Sequence, residues 1–291
     1  MMSVCKKLGF ESLAWSLRRL HCPVPAEALV LEVGSGGNPY PRANVLLDAY
    51  ENTRERHWVP LKADRPIVLG FVEKLPFRDK AFDFVIASHV LEHSADPAAF
   101  LAELERVAKA GYIEVPDAFF ERINPYPDHR LEVTSRAGGL VIRKKAKWKV
   151  EEETTELYED RAKNFVALEL IPKRPFAFHT RYYWEGRIYF KVLNPEVNAA
   201  WPAITSGHEP PPPGLSARLR GAVLEFLRGM LSQRRRNERL DLMGLLRCPS
   251  CGADALSGTE TAITCKKCGE GYPLRNGIPA MFAPERTRQV K

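Results

Sequence analysis

The chain has 291 residues, which is longer than most single domains, so we expect one large domain and a smaller one. Its 45% apolar and 27% charged residues are typical of a soluble globular protein, and no apolar run reaches the roughly 18–20 residues that a membrane span needs. The net charge of +7 weakly favours an anionic partner, such as nucleic acid, a phosphorylated glycan or a membrane surface.

The first segment, residues 1–27, is predicted to be helical. It lacks a continuous apolar stretch followed by a small-residue cleavage site, so we expect no secretory signal and a cytoplasmic protein. The apolar residues that would share one helical face are Leu8, Leu13, Ala14, Leu17 and Leu20.

Residues 28–208 are predicted to form an α/β domain. A helix is expected at 97–108 with Asp96 as its N-cap. Short apolar strands that alternate with helices indicate a doubly wound, mostly parallel sheet covered on both faces. The predicted strands lie at 28–33, 44–48, 66–70, 81–88 and 111–115.

Residues 117–205 differ from this alternation, because they are rich in aromatic and charged residues, and we interpret them as an elaborated substrate region. The strands predicted there are Leu140–Ile142, Phe165–Ile171 and Tyr182–Leu193. Two basic runs, Arg143–Lys149 and Arg234–Arg239, carry most of the excess charge. A run of this kind is usually a solvated face, which is how we interpret both.

A proline-rich linker and a basic amphipathic helix are predicted at 209–239. The helix, at Leu215–Leu231, would pack on the catalytic domain; the alternative is peripheral membrane contact through 215–239.

The stretch LVLEVGSGGNPY, residues 29–40, joins the first predicted strand to a glycine loop. Such a loop exposes backbone N–H groups at the carboxyl end of a parallel strand, where doubly wound sheets bind ligands. Asp48 ends the second strand, and a carboxylate there can accept both ribose hydroxyls of a nucleoside. No Gly-Lys-Ser/Thr follows, and Pro39 stands where a third glycine would complete G-x-G-x-x-G, so we predict a nucleoside ligand without a pyrophosphate.

The ordered motifs LEVGSGGNP, VLLD and VEKLPFRDKAFDFVIASHVLEH resemble the class I S-adenosylmethionine-dependent methyltransferases, and especially their methyltransferase type 11 branch. The resemblance implies a Rossmann-like fold, with S-adenosylmethionine as the methyl donor. It places the glycine loop at the methionine part, Asp48 at the ribose, and residues 72–73 at the adenine. The residues it assigns to the cofactor are Glu32, Gly34, Ser35, Gly36, Asn38, Asp48, Val72, Glu73, Ser88, His89 and Leu91; the last three would lie beside the sulfonium and its methyl.

One position departs from that family. An aspartate usually stands two residues before the glutamate of the E-x-L-P-F run and reaches the adenine amine, but this chain has Phe71. Adenine would then be held by the Val72 N–H and by stacking. The alternative is a noncatalytic binding protein with a decayed cofactor site.

A general base is needed only if the methyl acceptor is a hydroxyl or an ammonium group. The candidate catalytic residues are His129, His89 and His93, with Glu114 and Asp117 as further candidates after the fifth strand. We favour His129, because histidine titrates near neutral pH and this one lies in an aromatic, proline-rich loop. For His93 the alternative is a helix cap or a bond to a backbone carbonyl, and for Asp117 a turn or a cap.

Four of the six cysteines form two Cys-x-x-Cys pairs near the C-terminus, separated by thirteen residues. Two such pairs supply four thiolates, which is the ligand set of a closed, structural zinc site. We therefore predict one structural Zn²⁺ bound by Cys248, Cys251, Cys265 and Cys268.

The segments LLRCPSCGADAL and CKKCGEGYPLRNGIPAMF resemble the small zinc-ribbon activator subunits of tRNA, rRNA and release-factor methyltransferases. In that family the ribbon is usually a separate chain, whereas here it would be a small C-terminal domain at 240–284, followed by a tail at 285–291.

Together these patterns predict an S-adenosylmethionine-dependent methyltransferase that acts on an oxygen of a small-molecule or glycan-type acceptor. RNA or protein is the alternative acceptor, with the ribbon as an activator module. The oligomeric state is not predicted.

Overall fold

The computed structural model describes residues 2–53, 59–202, 222, 226 and 229–284. The strands in these residues are β1 (Val30–Val33), β2 (Val45–Asp48), β3 (Ile67–Leu69), β4 (Phe82–Ser88), β5 (Ala108–Pro116), β6 (Leu131–Arg136), β7 (Gly139–Lys144), β8 (His179–Glu185), β9 (Phe190–Val192), β10 (Leu256–Gly258), β11 (Ala262–Cys265), β12 (Gly271–Arg275) and β13 (Ile278–Pro279). The helices are α1 (Met2–Lys7), α2 (Glu11–Leu17), α3 (Pro97–Val107), α4 (Ala118–Ile123), α5 (Glu152–Arg161), α6 (Lys163–Phe165), α7 (Ile171–Lys173) and α8 (Arg234–Asn237).

The main sheet contains six strands in the order β3-β2-β1-β4-β5-β8. β2 pairs in parallel with both β1 and β3, and every residue of these three strands is buried. β8 is antiparallel to β5, so the sheet is mixed. The order of the first five strands is that of a doubly wound Rossmann sheet, which confirms the predicted α/β fold class.

The helix predicted after β4 is α3, and its start follows a local rule. Oδ1 of Asp96 accepts a hydrogen bond from the backbone N–H of Ala99 at 3.0 Å, as an N-cap does. The apolar residues predicted for its inner face, Phe100, Leu101, Leu104 and Val107, are all buried.

The chain divides into two compact units. Unit 1 comprises residues 1–23, 87–101 and 110–205, and unit 2 comprises residues 24–86, 102–109 and 206–291. The domain boundaries predicted from the sequence, after residues 27, 208, 239 and 284, stay predictions.

Unit 1 begins with two short helices rather than one. Gly9, with φ of +82°, separates α1 from α2. Of the predicted apolar face, Ala14 is buried, whereas Leu8 and Leu13 are exposed. The single helical face expected from the spacing is therefore interrupted.

The strand predicted at Phe165–Ile171 is wrong, because this segment is helical. α6 continues through a π-helical turn at Val166–Leu170 into α7. Val166 packs with Phe120 and Phe178, while Phe165 and Leu168 are exposed. The strand predicted at Tyr182–Leu193 is also interrupted: β8 ends at Glu185 and β9 begins at Phe190, with Gly186 at φ of +69° between them. β9 joins β6 and β7 in a separate sheet of order β6-β7-β9.

Unit 2 contains the ribbon strands, which form a sheet of order β10-β11-β12-β13. The segment after β13 continues along β3, where the Met281 N–H donates to the carbonyl of Leu69 at 2.8 Å. Ala280 and Phe282 pack with Leu69 in one apolar cluster. The ribbon thus lies against the outer edge of β3.

No helix in the described part of the chain is long and apolar enough to span a membrane. The helix predicted at Leu215–Leu231 lies mostly outside the described residues, as does the proline-rich linker.

Candidate functional site

The glycine loop of unit 2 follows β1 and reverses the chain with two left-handed residues. Gly34 has φ of +63° and Gly36 has φ of +57°, backbone conformations that side chains disfavour. Gly37 is needed for a different reason: a Cβ there would lie 2.3 Å from Cγ1 of Val59 and 2.7 Å from the carbonyl oxygen of Pro60. The absence of side chains therefore serves both the turn and a close backbone approach.

Two buried carboxylates hold the loop in shape. Oδ2 of Asp48, at the end of β2, accepts from the Gly36 N–H at 2.9 Å, and Oδ1 accepts from the Tyr50 N–H at 3.0 Å. Oε2 of Glu32 accepts from the Tyr40 N–H at 2.7 Å, where the loop ends. The structure therefore brings together the predicted carboxylate of β2 and the predicted glycine loop.

One polar atom of the loop is left without a protein partner. Ser35 is 5% exposed, and its hydroxyl has no hydrogen-bond partner among the described residues. A buried polar group in that condition is costly unless a ligand or water satisfies it. The loop thus presents a hydroxyl that is suited to a polar ligand.

The position that departs from the family pattern, Phe71, belongs to an aromatic cluster. Its ring centroid is 5.2 Å from that of Phe282 and 6.2 Å from that of Tyr50. Val72 and Glu73 follow in a 3₁₀ turn, with Val72 buried. Phe282 belongs to the ribbon, so the ribbon supplies one of these rings, which no motif of the sequence predicts.

In unit 1, the carboxylate of Glu114, near the end of β5, is buried among several hydrogen-bond donors. Glu114 is fully buried, and Arg18 contacts it through Nε to Oε2 at 2.9 Å and Nη2 to Oε1 at 3.1 Å. The hydroxyls of Tyr112 and Ser88 donate to it at 2.5 and 3.2 Å, and Nε of Arg181 lies 3.7 Å away. Burial alone would raise the pKa of Glu114, but hydrogen bonds from His89 and Arg18 outweigh burial and lower it.

His89 follows β4 in a strained, left-handed conformation with φ of +58°. Its Nε2 lies 3.4 Å from Glu114, and its Nδ1 lies 3.5 Å from Oε1 of Glu92. Burial opposes a charge on this ring, but its interactions with the two carboxylates raise the pKa of His89 to about 9. The imidazole is therefore charged at neutral pH.

The third predicted histidine, His129, is held by a buried ion pair. Its Nδ1 lies 2.6 Å from Oε2 of Glu121, and Nζ of Lys145 lies 2.7 Å from Oε1 of the same carboxylate. The Glu121 and Lys145 side chains are each 1% exposed. The ring centroid of His93 is 4.8 Å from that of His129, so two of the three predicted catalytic histidines are adjacent in space.

Asp117 is a helix cap, which is one of the two structural roles considered as alternatives to catalysis. It N-caps α4 by accepting from the Phe119 N–H at 2.9 Å, and it accepts from the hydroxyls of Thr134 and Thr180 at 2.7 Å. Ser88 ends β4, and Leu91 begins the 3₁₀ turn Leu91–His93. The roles predicted for Ser88, His89 and Leu91 toward the cofactor stay predictions.

The four C-terminal cysteines converge. Sγ of Cys248 is 3.7 Å from Sγ of Cys268, and Sγ of Cys251 is 3.6 Å from Sγ of Cys265. Four thiolates at about 2.3 Å from one tetrahedral ion would be about 3.8 Å apart, so this donor set fits Zn²⁺.

The two knuckles have the same backbone geometry. The N–H of Gly252 donates to the carbonyl of Cys248, and that of Gly269 to the carbonyl of Cys265, each at 2.9 Å. Both glycines are left-handed, with φ of +72° and +78°. The hydroxyl of Tyr272 lies 3.1 Å from Sγ of Cys248, a contact that would stabilise a thiolate.

One residue of each basic run is used within the fold. Lys145 is buried against Glu121, and Nη1 of Arg236 donates to the carbonyls of Ala26 and Ala28 at 2.8 and 3.0 Å. The interpretation of both runs as solvated faces therefore fails for these two residues, because each reaches an acceptor distant in sequence.

The comparisons with known proteins bear on residues 31–113, which match the family described as a methyltransferase domain. Over 73 residues the chain is 42% identical to a Schizosaccharomyces pombe protein named as an uncharacterised methyltransferase, covering 24% of this chain and 26% of that protein. Over 81 residues it is 28% identical to an uncharacterised Methanocaldococcus jannaschii protein, covering 28% of this chain and 40% of that protein. The chain thus matches less than half the length of these curated relatives.

Solved structures are similar over part of the chain. One comes from a complex between the Haloferax volcanii Trm112 methyltransferase activator and its candidate methyltransferase, at 23% identity and a TM-score of 0.28, covering 38% of this chain and 56% of that chain. Another is an S-adenosylmethionine-dependent methyltransferase from Mesorhizobium loti, at 16% identity and a TM-score of 0.30, covering 46% and 64%. Residues 31–113 thus match a methyltransferase domain in sequence, and the strands of this region belong to a Rossmann-like sheet.

Proposed function

We propose that the chain is an S-adenosylmethionine-dependent methyltransferase whose glycine loop in unit 2 binds the cofactor. The buried hydroxyl of Ser35, unpartnered among the described residues, carries this proposal, because it lies in the loop that the family resemblance assigns to the cofactor. Left-handed Gly34 and Gly36 keep the main chain accessible there. These features fit a ligand with both polar and adenosyl parts.

Within unit 2, each part of the cofactor has a candidate partner. Asp48 is the candidate for the ribose, since each carboxylate oxygen has two acceptor sites and can serve a hydroxyl beside a backbone N–H. Ser35 and Asn38 are the candidates for the methionine part. The Val72 N–H and the ring of Phe71 would hold adenine in place of the missing aspartate. The bound cofactor supplies a methyl group on a cationic sulfur, so the leaving group needs no activation.

The proton of a hydroxyl acceptor must go to a base, and unit 1 offers His129 for this role. Glu121 accepts from its Nδ1–H, which leaves Nε2 as the nitrogen with a lone pair. His89 is a poorer candidate, because a charged imidazole has no lone pair to accept a proton. We therefore assign the role of general base to His129. His89 instead carries a positive charge between the carboxylates of Glu92 and Glu114.

We propose an oxygen of a small-molecule or glycan-type compound as the acceptor, in the reducing cytoplasm where the four cysteines stay available to zinc. The zinc ribbon would stabilise the β3 edge of unit 2. RNA and protein remain the alternative acceptors. Transfer of radiolabelled methyl to total RNA, with binding that weakens steeply as salt rises, would favour RNA over the metabolite.

The proposal is tested by calorimetric titration of the zinc-loaded chain with S-adenosylmethionine and its demethylated product. Asp48→Ala should weaken binding by about 30- to 150-fold, the equivalent of about 2–3 kcal/mol of charge-assisted hydrogen bonding. Glu260→Ala, an exposed carboxylate in the ribbon, is the matched control and should leave the affinity unchanged. A wild-type chain that binds neither compound would refute the enzymatic proposal and favour the noncatalytic one.

A further inference from the structure

Two histidines and a glutamate of unit 1 converge on one point. One oxygen of Glu92 and one ring nitrogen each of His93 and His129 all lie within 4.8 Å of one another. Three ligands about 2.1 Å from one ion and on the same side of it are about 3.0–3.4 Å apart, so the most distant donors would have to move closer by up to about 1.4–1.8 Å. The three groups come from the 3₁₀ turn after β4 and the loop before β6.

Glu92 is the unusual member of this cluster. It is 1% exposed, and among the described residues neither of its carboxylate oxygens accepts a hydrogen bond. Nδ1 of His89 lies 3.5 Å from Oε1, near enough for an ion pair but beyond good hydrogen-bond geometry. Burying a carboxylate is costly unless it is hydrogen-bonded or coordinates a metal. Glu92 therefore has the ion pair with His89 but no hydrogen bond among the described residues, and its carboxylate lies beside two further imidazoles.

The surroundings of His129 are those of a metal-binding histidine. A histidine that ligates a metal usually donates its other ring N–H to a carboxylate, which fixes the tautomer. Here Nδ1 faces Glu121 at 2.6 Å, and Lys145 neutralises that carboxylate at 2.7 Å. Nε2 is then the ring nitrogen whose lone pair can bind an ion. The backbone also fixes the turn, since the Arg130 N–H donates to the carbonyl of Glu92 at 2.6 Å.

We propose that Glu92, His93 and His129 form a site for a divalent transition-metal ion. Two imidazoles and one carboxylate on one side of an ion are typical of sites that leave coordination positions open. His93 is partly exposed, whereas Glu92 and His129 are buried. Resting on the proposed function, the ion would bind an acceptor hydroxyl and lower its pKa, so that the proton is released to solvent water; His129, the base in the metal-free chain, would then be a ligand.

The test uses Mn²⁺ with the full chain whose ribbon is already loaded with zinc. Mn²⁺ prefers oxygen and nitrogen ligands to thiolates, so it reports on this site and not on the four cysteines. Loss of the free Mn²⁺ electron paramagnetic resonance signal should give one bound ion per chain. Glu92→Gln should weaken binding at least 10-fold, and Glu121→Gln, which removes only the orienting carboxylate, about 10- to 100-fold.

His21→Ala is the control, since it removes a histidine of unit 1 outside the cluster and should leave Mn²⁺ binding unchanged. Circular dichroism checks that each variant is folded, and His93→Asn provides a second, smaller change if Glu92→Gln does not fold. No binding of Mn²⁺ or Co²⁺ at millimolar concentration, or binding insensitive to Glu92→Gln and His93→Asn, would overturn the proposal. Cofactor binding is measured separately without Mn²⁺, so failure of the metal site is distinguishable from failure of the proposed function.

Discussion

The ring of Phe282 gives the sharpest prediction, because it joins the ribbon to the adenine side of the proposed cofactor site. It is 6% exposed and packs with Leu69, Ala280 and Phe71. Truncating a buried phenylalanine to alanine costs about 3–5 kcal/mol. Since Phe282 lies at the rim of its cluster, with the guanidinium of Arg275 over its ring at 6.0 Å, we expect Phe282→Ala to lower the free energy of unfolding by about 3 kcal/mol.

The same variant should weaken S-adenosylmethionine binding. Stacking of a base on an aromatic side chain contributes about 1–3 kcal/mol, and Phe71 loses the ring that lies 5.2 Å from it. A loss of about 1–2 kcal/mol raises the dissociation constant about 5- to 30-fold. Phe282→Leu separates the two effects, because it keeps most of the volume and should recover most of the stability while cofactor binding stays weakened.

Urea titration gives the stability, and calorimetry at a temperature where all variants are folded gives the affinity. Phe165→Ala, which removes an exposed ring of unit 1, is the matched control for both measurements. If Phe282→Ala left stability and affinity unchanged, the ribbon would not contribute to the site. If Phe282→Leu restored full affinity, the contribution would be one of volume, and the stacking argument would fail.

Three further predictions concern the rest of the site. Arg18→Ala should lower the free energy of unfolding by about 2–4 kcal/mol in urea titration, because it leaves the buried Glu114 with weaker partners. The stability of Arg18→Lys should lie between those of Arg18→Ala and wild type. Equal stability of all three chains would contradict this role. Gly37→Ala should reduce cofactor affinity at least 10-fold in calorimetry, since its Cβ would lie 2.3 Å from a side-chain carbon, whereas Gly271→Ala, with open space around it, should bind normally. Removing zinc with a chelator, or Cys265→Ser, should lower the melting temperature by several degrees in a thermal scan, as loss of a structural metal does; an unchanged melting temperature would argue against the metal.

The parts of the fold that follow from local rules could be predicted from the sequence. The strands at 28–33 and 44–48 are short apolar runs that end in glycine or acid, and β1 and β2 lie within them. The two knuckles follow from cysteine spacing and the glycine after each pair. The helical segment around Phe165–Ile171 was missed, because a short apolar run does not distinguish a strand from a buried helix. Only its packing, in which Val166 is buried and Leu168 is exposed, distinguishes the helix from a strand.

The site residues that escaped prediction are those whose partners are distant in sequence. Lys145 stands in a basic run, and nothing in that run indicates a bond to Glu121, 24 residues earlier. Arg18 reaches Glu114 across 96 residues. Glu92 lies within the SHVLEH motif, but the motif alone does not reveal that this carboxylate is buried. A buried acid between two histidines is the signal that could have identified it.

The position of the ribbon follows from the physics of sheet edges. β3 is the last strand in the order of the main sheet, so its outer N–H and C=O groups would be exposed and prone to pair with another chain. Here the Met281 N–H donates to the Leu69 carbonyl, and Ala280 forms a parallel bridge with Leu69, so residues of the same chain occupy that edge. A ribbon on a separate chain would have to bind at its cellular concentration, whereas a tethered one acts at an effective concentration of about millimolar. Fusion therefore keeps the edge covered and the Phe282 ring beside Phe71 without requiring a high-affinity interface.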